Sequence, residues 1–216
     1  MKLVIGNKNY SSWSLRPWVL MHHAQLDFEE VNVSLFTEQG EELIKKWCPA
    51  QLVPVLHDGP LVLWDSLAIC EYIADKVTHT SLWPERTDER ARARAISAEM
   101  HSGFAEMRRA MPMNCRRVVQ GFKPSLQVQI DINRIVQLFE EVLQSSGGPW
   151  LFGHYTVADA MYAPVASRFK TYTIQVPTLS KYYIEKTLCD APVQDWYAAA
   201  RSETAVIAKS EIEDVI

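Results

Sequence analysis

The chain has little cysteine, and none of it is clustered. Cys48, Cys70, Cys115 and Cys189 lie far apart, with no Cys-x-x-Cys among them. That excludes a thiolate metal knuckle or a dithiol redox motif, and it fits thiols kept as small buried hydrophobes in a reducing compartment. Histidine offers no metal-ligand spacing either, since His22 and His23 are adjacent and the others are scattered. Positive charge is not in excess: 22 Lys and Arg against 26 Asp and Glu leave a net charge of −4, so no nucleic-acid partner is expected. No apolar run approaches the roughly 18 residues of a membrane span, and no basic-plus-apolar leader is present, so the expectation is a cytoplasmic protein that does not enter a membrane. Internal repeats and low-complexity tracts are missing as well.

What is present is an ordinary globular composition, 48% hydrophobic and 22% charged over 216 residues. That length is enough for one large domain or two small ones, each with a proper core. The first part of the chain alternates. Leu3-Val4-Ile5 reads as a strand, Leu15 to Ala24 as a helix with Pro17 in its first turn, residues 28–33 as a strand, and Glu41 to Trp47 as a short helix. Val53 to His57 and Leu61 to Leu63 read as a hairpin around Asp58-Gly59, followed by a helix from Asp65 to Lys76. The order β-α-β-α-β-β-α predicts a parallel first pair with a right-handed crossover and an antiparallel last pair. Residues 78–87 lose periodicity and read as a linker. Everything after it is helical: 88–113, 126–144, 156–170, 178–188 and 192–201. The expected fold class is therefore an α/β module over 1–77 joined by 78–87 to an all-α module over 88–216.

Three stretches could carry chemistry. In Asn9-Tyr10-Ser11-Ser12-Trp13-Ser14-Leu15-Arg16, three serines stand at a strand-to-helix turn. A hydroxyl there either caps the helix or meets an anion at its positive end, and with several serines one can do each. Pro54 precedes an apolar strand. It is either a trans residue opening that strand or a cis residue that turns the backbone of Val53 outward toward a strand-like ligand. Asp65-Ser66 opens a helix. It is either an N-cap or a receptor for a zwitterion, with the acid on an ammonium and the serine and helix N-terminus on an α-carboxylate. A fourth stretch, Thr156-Val157-Ala158-Asp159, has the form of a capping box and is assigned structure only.

Taken together, and followed by an all-helical half, these stretches resemble the cytosolic glutathione transferase family. The residues that carry the resemblance are Ser11-Ser12-Trp13-Ser14-Leu15-Arg16, Val53-Pro54-Val55-Leu56, Asp65-Ser66-Leu67-Ala68-Ile69 and Thr156-Val157-Ala158-Asp159. The resemblance implies a thioredoxin-like N-terminal domain that binds glutathione as co-substrate, a helical domain lining a pocket for a small electrophile, a homodimer, and no metal. It makes Pro54 the cis proline, sets Val53 against the cysteinyl backbone, and sets Asp65 and Ser66 against the γ-glutamyl end. Gln39, in the loop after the second strand, becomes the candidate for the glycyl end, while Leu52 stands where many members carry a lysine for that carboxylate. The serine start is most similar to the zeta class and its Ser-Ser-Cys-Ser-x-Arg pattern: Ser11 matches the catalytic serine, Ser12 the second and Arg16 the arginine, while Trp13 replaces the cysteine.

The implied chemistry is thiolate stabilisation. Ser11 donates to the sulfur while the helix N-terminus, with Arg16, adds positive potential. The second pocket is expected from Trp13 and one helix face, His101, Phe104, Ala105 and Arg108, at i, i+3, i+4 and i+7. The alternative is that Phe104 is core and Arg108 pairs with Glu106 or Glu140. The first functional reading is a glutathione transferase, with or without peroxidase activity. The second is a zeta-like maleyl cis-trans isomerase, against which stand the bulk of Trp13 and Ala105 at a position that is polar in zeta enzymes. The third is a non-catalytic module of the same fold that binds a partner protein. The retained serines and Asp65-Ser66 favour an enzyme.

Overall fold

The computed structural model describes residues 1–214 of the 216. The first part is a four-stranded sheet with helices on it. It runs β1 (Lys2–Gly6), α1 (Ser12–His23), β2 (Glu29–Val33), α2 (Glu38–Trp47), β3 (Val55–Asp58), β4 (Leu61–Trp64) and α3 (Ser66–Lys76). The strand order is β2-β1-β3-β4. β1 and β2 are parallel, with Val4 opposite Val31, and β3 runs antiparallel to both β1 and β4, with Val55 opposite Val4 and Trp64. The Asp58-Gly59 turn works because Gly59 takes φ +58° with open space where a Cβ would stand.

The remainder is helical: α4 (Thr87–Ser102), α5 (Ala105–Ala110), α6 (Leu126–Ser146), α7 (Val157–Thr171), α8 (Thr178–Leu188) and α9 (Ala191–Ser202), then one 3₁₀ turn, Ala208–Ser210. At the start of α7 the Thr156 amide and hydroxyl both donate to Asp159, at 2.8 and 3.0 Å. Asp159 also accepts from the Leu151 amide and the Tyr183 hydroxyl, 3.0 and 3.1 Å away. Burial nevertheless raises the Asp159 carboxyl to about 6, against the pull of these donors.

Two differences from the sequence reading bear on the site. First, α1 begins at Ser12 rather than Leu15, because the Ser11 oxygen accepts from the Ser14 amide and caps the turn there. Pro17 therefore lies inside the helix, where it has no N–H to offer the Trp13 carbonyl. Second, residues 88–113 do not form one helix. Gly103 is extended and Phe104 takes a left-handed conformation, φ +57° and ψ 39°, so the chain breaks and restarts as α5. Gly103 passes so close to the Glu99 carbonyl that a Cβ would stand 2.7 Å from its oxygen. The restart is held by the Asp131 carboxylate, which accepts from the Met107 amide at 2.9 Å.

One apolar core runs through both parts. Leu15, Val19 and Leu20 of α1 belong to the same cluster as Met161, Val165 and Phe169 of α7 and Trp196 of α9. A smaller cluster, Val4, Val33, Ile44, Cys48 and Val55, fills the space between the sheet and α2. Lys8, after β1, is buried. Its ammonium pairs with Glu30 at 2.8 Å and lies 4.8 and 5.3 Å from the Trp18 and Trp196 rings, while the Trp196 indole donates to the Lys8 carbonyl at 2.7 Å.

Candidate active site

The Ser11 turn opens on a cavity of about 550 Å³. Ser11, Ser12 and Trp13 form its floor, and Leu52 and Val53 stand beside them ahead of the cis Val53–Pro54 bond. Arg108 and Arg168 enter from the helical part. The Ser11 hydroxyl donates to Ser14 Oγ at 2.7 Å, and Ser14 Oγ also accepts from the Gly6 amide at 3.1 Å, which ties the turn to the end of β1. Ser12 Oγ accepts from Arg168 Nη2 at 3.1 Å, and the other end of that guanidinium donates to the Met111 carbonyl. An arginine cannot accept, so Ser12 keeps its own proton for another partner.

Charge in the site is mostly positive: Arg108, Arg168, Lys45 and Lys209 line the cavity against one acid, Glu41. Arg108 and Arg168 lie close enough to depress Arg16, and Arg108 close enough to depress Arg168. Burial first, then the neighbouring guanidinium groups Arg168 and Arg108, brings Arg16 down to about 9, and burial brings Arg168 down to about 10. All three remain charged at neutral pH. Arg108 is also lowered by burial. It pairs with neither acid considered for it: Glu106 binds Arg109, Glu140 takes the Ser180 amide and hydroxyl, and Arg108 donates to the Met100 and His101 carbonyls, both at 3.1 Å. Trp13 gathers the cluster, with the Arg16 and Arg108 guanidinium carbons 4.2 and 5.2 Å from its ring and His101 edge-on at 5.4 Å.

The other expected residues are divided. Asp65 and Ser66 lie behind Trp13 and do not line the cavity. One Asp65 oxygen caps α3 through the Leu67 and Ala68 amides, at 2.9 and 3.1 Å, and the other meets His101 Nε2 at 3.0 Å. Asp65 takes φ +80°, a conformation strained for any residue with a Cβ. Ser66 is buried, and its hydroxyl accepts from Arg16 Nη1 at 3.5 Å. Phe104 is core, as the alternative had it, and Ala105 is exposed. Neither lines the cavity, because the break at Gly103 dismantles the expected helical face. Gln39 is also outside: Thr37 caps α2 early, and Gln39 falls on an outer surface with Glu38, Glu42 and Lys46.

Arg168, Lys45, Met113, Ile207 and Lys209 line the cavity and were not singled out in the sequence. Arg168 had a signal, a lone charge within the apolar run of α7, where burial demands a partner. Among the described residues no cluster of acids, His and Cys is arranged to hold a metal, and no helix is long and apolar enough to cross a membrane.

Residues 10–76 match the family model for the glutathione S-transferase N-terminal domain. A Caenorhabditis elegans protein named as a probable maleylacetoacetate isomerase is 30% identical over 193 residues, which cover 84% of this chain and 86% of that protein. The chain belongs to the cytosolic glutathione S-transferase family and is zeta-like. The maleylpyruvate isomerase of a Ralstonia species is 25% identical over 182 residues, 82% of this chain and 78% of that one. Solved structures share the glutathione S-transferase fold. A Burkholderia glutathione transferase homologue with bound glutathione superposes at TM-score 0.73, 20% identical, over 94% of this chain and 98% of that one. The holo structure of a bacterial zeta-class maleyl pyruvate isomerase superposes at 0.71, 23% identical, over 95% and 100%. The mixed sheet and the helical bundle of this glutathione S-transferase are those of the expected fold class.

Proposed function

We propose that the protein binds glutathione as its thiol co-substrate and isomerises an anionic, conjugated cis-alkene of the maleyl type. The observation that carries this is the pair Arg108 and Arg168. Both face the cavity that holds Ser11 and Ser12, and neither forms an ion pair among the described residues. Zeta-class isomerases among the relatives support the same reading.

The residues present fit glutathione. Ser11 and Ser12 offer hydroxyls at the positive end of α1 and Val53 offers its backbone to the cysteinyl unit, all on the cavity, while the γ-glutamyl end would have to reach past Trp13 to Asp65, which lies outside it with its side chain partly exposed and Ser66 buried beneath. The ammonium of that end would share the outer Asp65 oxygen with His101. Glutathione supplies the nucleophilic sulfur. Its free thiol has a pKa of about 8.5, and lowering that by two units takes about 2.7 kcal/mol. The Ser11 hydroxyl, which otherwise donates to Ser14 Oγ, turns its proton to the sulfur; Ser12 stands second, its own proton free and Arg168 behind it, and Arg16 adds positive potential through Trp13. Arg108 and Arg168 hold the substrate carboxylate and the carbonyl oxygen that gains charge when the double bond is opened. The sulfur bonds to one alkene carbon as the π pair moves to the carbonyl oxygen, the carbon–carbon bond, now single, turns, and the returning pair re-forms the double bond as trans while the carbon–sulfur bond breaks. No proton or electron is gained or lost overall.

In this reading residues 1–77 bind glutathione and 88–216 hold the electrophile, and the working form is a cytoplasmic homodimer. A second reading, conjugation of an apolar electrophile, draws on the walls contributed by Trp13, Phe36, Met113 and Ile207. Turnover of a maleyl keto acid and of a chloro-nitro aromatic, each with glutathione, separates the two. Isomerisation of the acid is expected. Conjugation of the aromatic with no isomerisation would replace the first reading by the second. Failure to be retained on a glutathione matrix would leave only a protein-binding module.

A further inference from the structure

After α9 the chain turns back over the cavity. The Glu203 carboxylate accepts from the Lys8 and Asn9 amides, at 2.7 and 3.0 Å, and the Glu203 carbonyl accepts from Arg116. Eight residues on, Glu211 accepts from the Tyr10 hydroxyl and from Asn114 Nδ2, the latter at 2.9 Å, and Asp214 accepts from the Gln120 amide at 3.0 Å. Between these two anchorages the segment arches across the mouth. Ile207 is buried, Ser210 joins the wall, and the Lys209 ammonium reaches the opposite rim, 3.4 Å above the centre of the Phe36 ring.

We propose that Lys209 binds the glycyl carboxylate of glutathione, so that this C-terminal strap is part of the tripeptide's site. The inference rests on the glutathione reading above. A tripeptide with its middle on Val53 and its γ-glutamyl end toward Asp65 must send its other end to the far side of Val53. Gln51, Leu52, Phe36, Lys45 and Lys209 line that side. Leu52, 61% exposed, cannot pair with a carboxylate, and Gln39 faces elsewhere. Lys45 is already engaged by Glu42 at 2.6 Å. Lys209 has no ion pair among the described residues and rests on an aromatic face, a weaker partner than a carboxylate in a charge-assisted hydrogen bond. Because the strap is pinned on both sides, the lysine arrives with its backbone already ordered, which lowers the entropy cost of holding the ligand.

The test is equilibrium binding by calorimetry, with no turnover, of glutathione and of its glycine monoethyl ester, which lacks that one charge. Wild type is expected to prefer glutathione about fivefold, the scale of a partly exposed ion pair. Lys209→Met should lose about the same factor for glutathione and bind both ligands alike, and Lys209→Arg should keep the preference. Wild-type indifference to the ester, or an undiminished preference in Lys209→Met, overturns the proposal. If wild type binds neither ligand, the glutathione reading fails and takes this proposal with it. Binding with an unmoved preference sinks this proposal alone.

Discussion

Ser11, Ser12 and Trp13 reach the cavity from one turn of backbone, whereas Arg108, Arg168 and Lys209 reach it from three separated elements of the helical part. The first group is set by local geometry, a capped helix start tied to the end of β1 by Ser14. The second is set by packing alone, each cation delivered singly and satisfied by carbonyls, a hydroxyl or an aromatic face rather than by acids. The contrast assigns bond-making chemistry to the sheet module and grip on anions to the helices. It also predicts that damage to the two will look different.

The largest effect is expected from Ser11→Ala, a loss of roughly 10²-fold in kcat/KM, or about 2.7 kcal/mol. An ultraviolet titration of bound glutathione should show its thiol returning toward the free value. Ser12→Ala should do less, and a larger loss at Ser12 would move the sulfur contact to the hydroxyl held by Arg168. Next comes a pH dependence seated wholly in the helical part. Asp159 is raised to about 6 by burial, above its ordinary value of 3.8, so the folded state binds the proton more tightly than the unfolded one. Its contribution is fully present below that ordinary value and is lost as pH rises to about 6. Denaturant midpoints should fall across that window and flatten in Asp159→Asn, with kcat unaffected. A slope that survives the substitution belongs to another group.

Arg168→Met should raise KM for the acidic substrate about tenfold, the scale of one desolvated charge contact, with less change in kcat. Arg168→Lys should recover only part of this, since a point charge replaces a fork. A fall confined to kcat would blur the division between the two parts. Smallest is Thr156→Ala, about 1 kcal/mol of stability measured as a lower Tm, with substrate affinity intact.

What could be read in the sequence follows the same division. The cap at Ser11, the turn at Asp58-Gly59 and the Thr156–Asp159 box are short-range bargains between a side chain and a backbone a few residues away, and their signatures survive in one dimension. The break at Gly103 was hidden because Ile96, Met100, Phe104, Met107 and Met111 are all buried and keep helical spacing straight through it. Periodicity cannot report a single left-handed residue when the chain resumes with the same face inward. Gln39 left the site because Thr37 started α2 earlier than the first apolar residue suggested. Arg168 and Lys209 had no local motif, since Ser12 and Phe36 lie far from them in sequence and only the fold introduces them.

The core shared by α1 and α7 has a consequence for how the molecule comes apart. Helix α7 is buried along nearly its whole length, and Trp196 is locked to the Lys8 carbonyl, so neither part keeps a finished surface without the other. Separate melting of two domains requires a polar, lightly held seam. Here the seam is the interior itself, so heat should unfold both parts in one calorimetric transition, and residues 1–77 made alone should aggregate along the exposed side of α1.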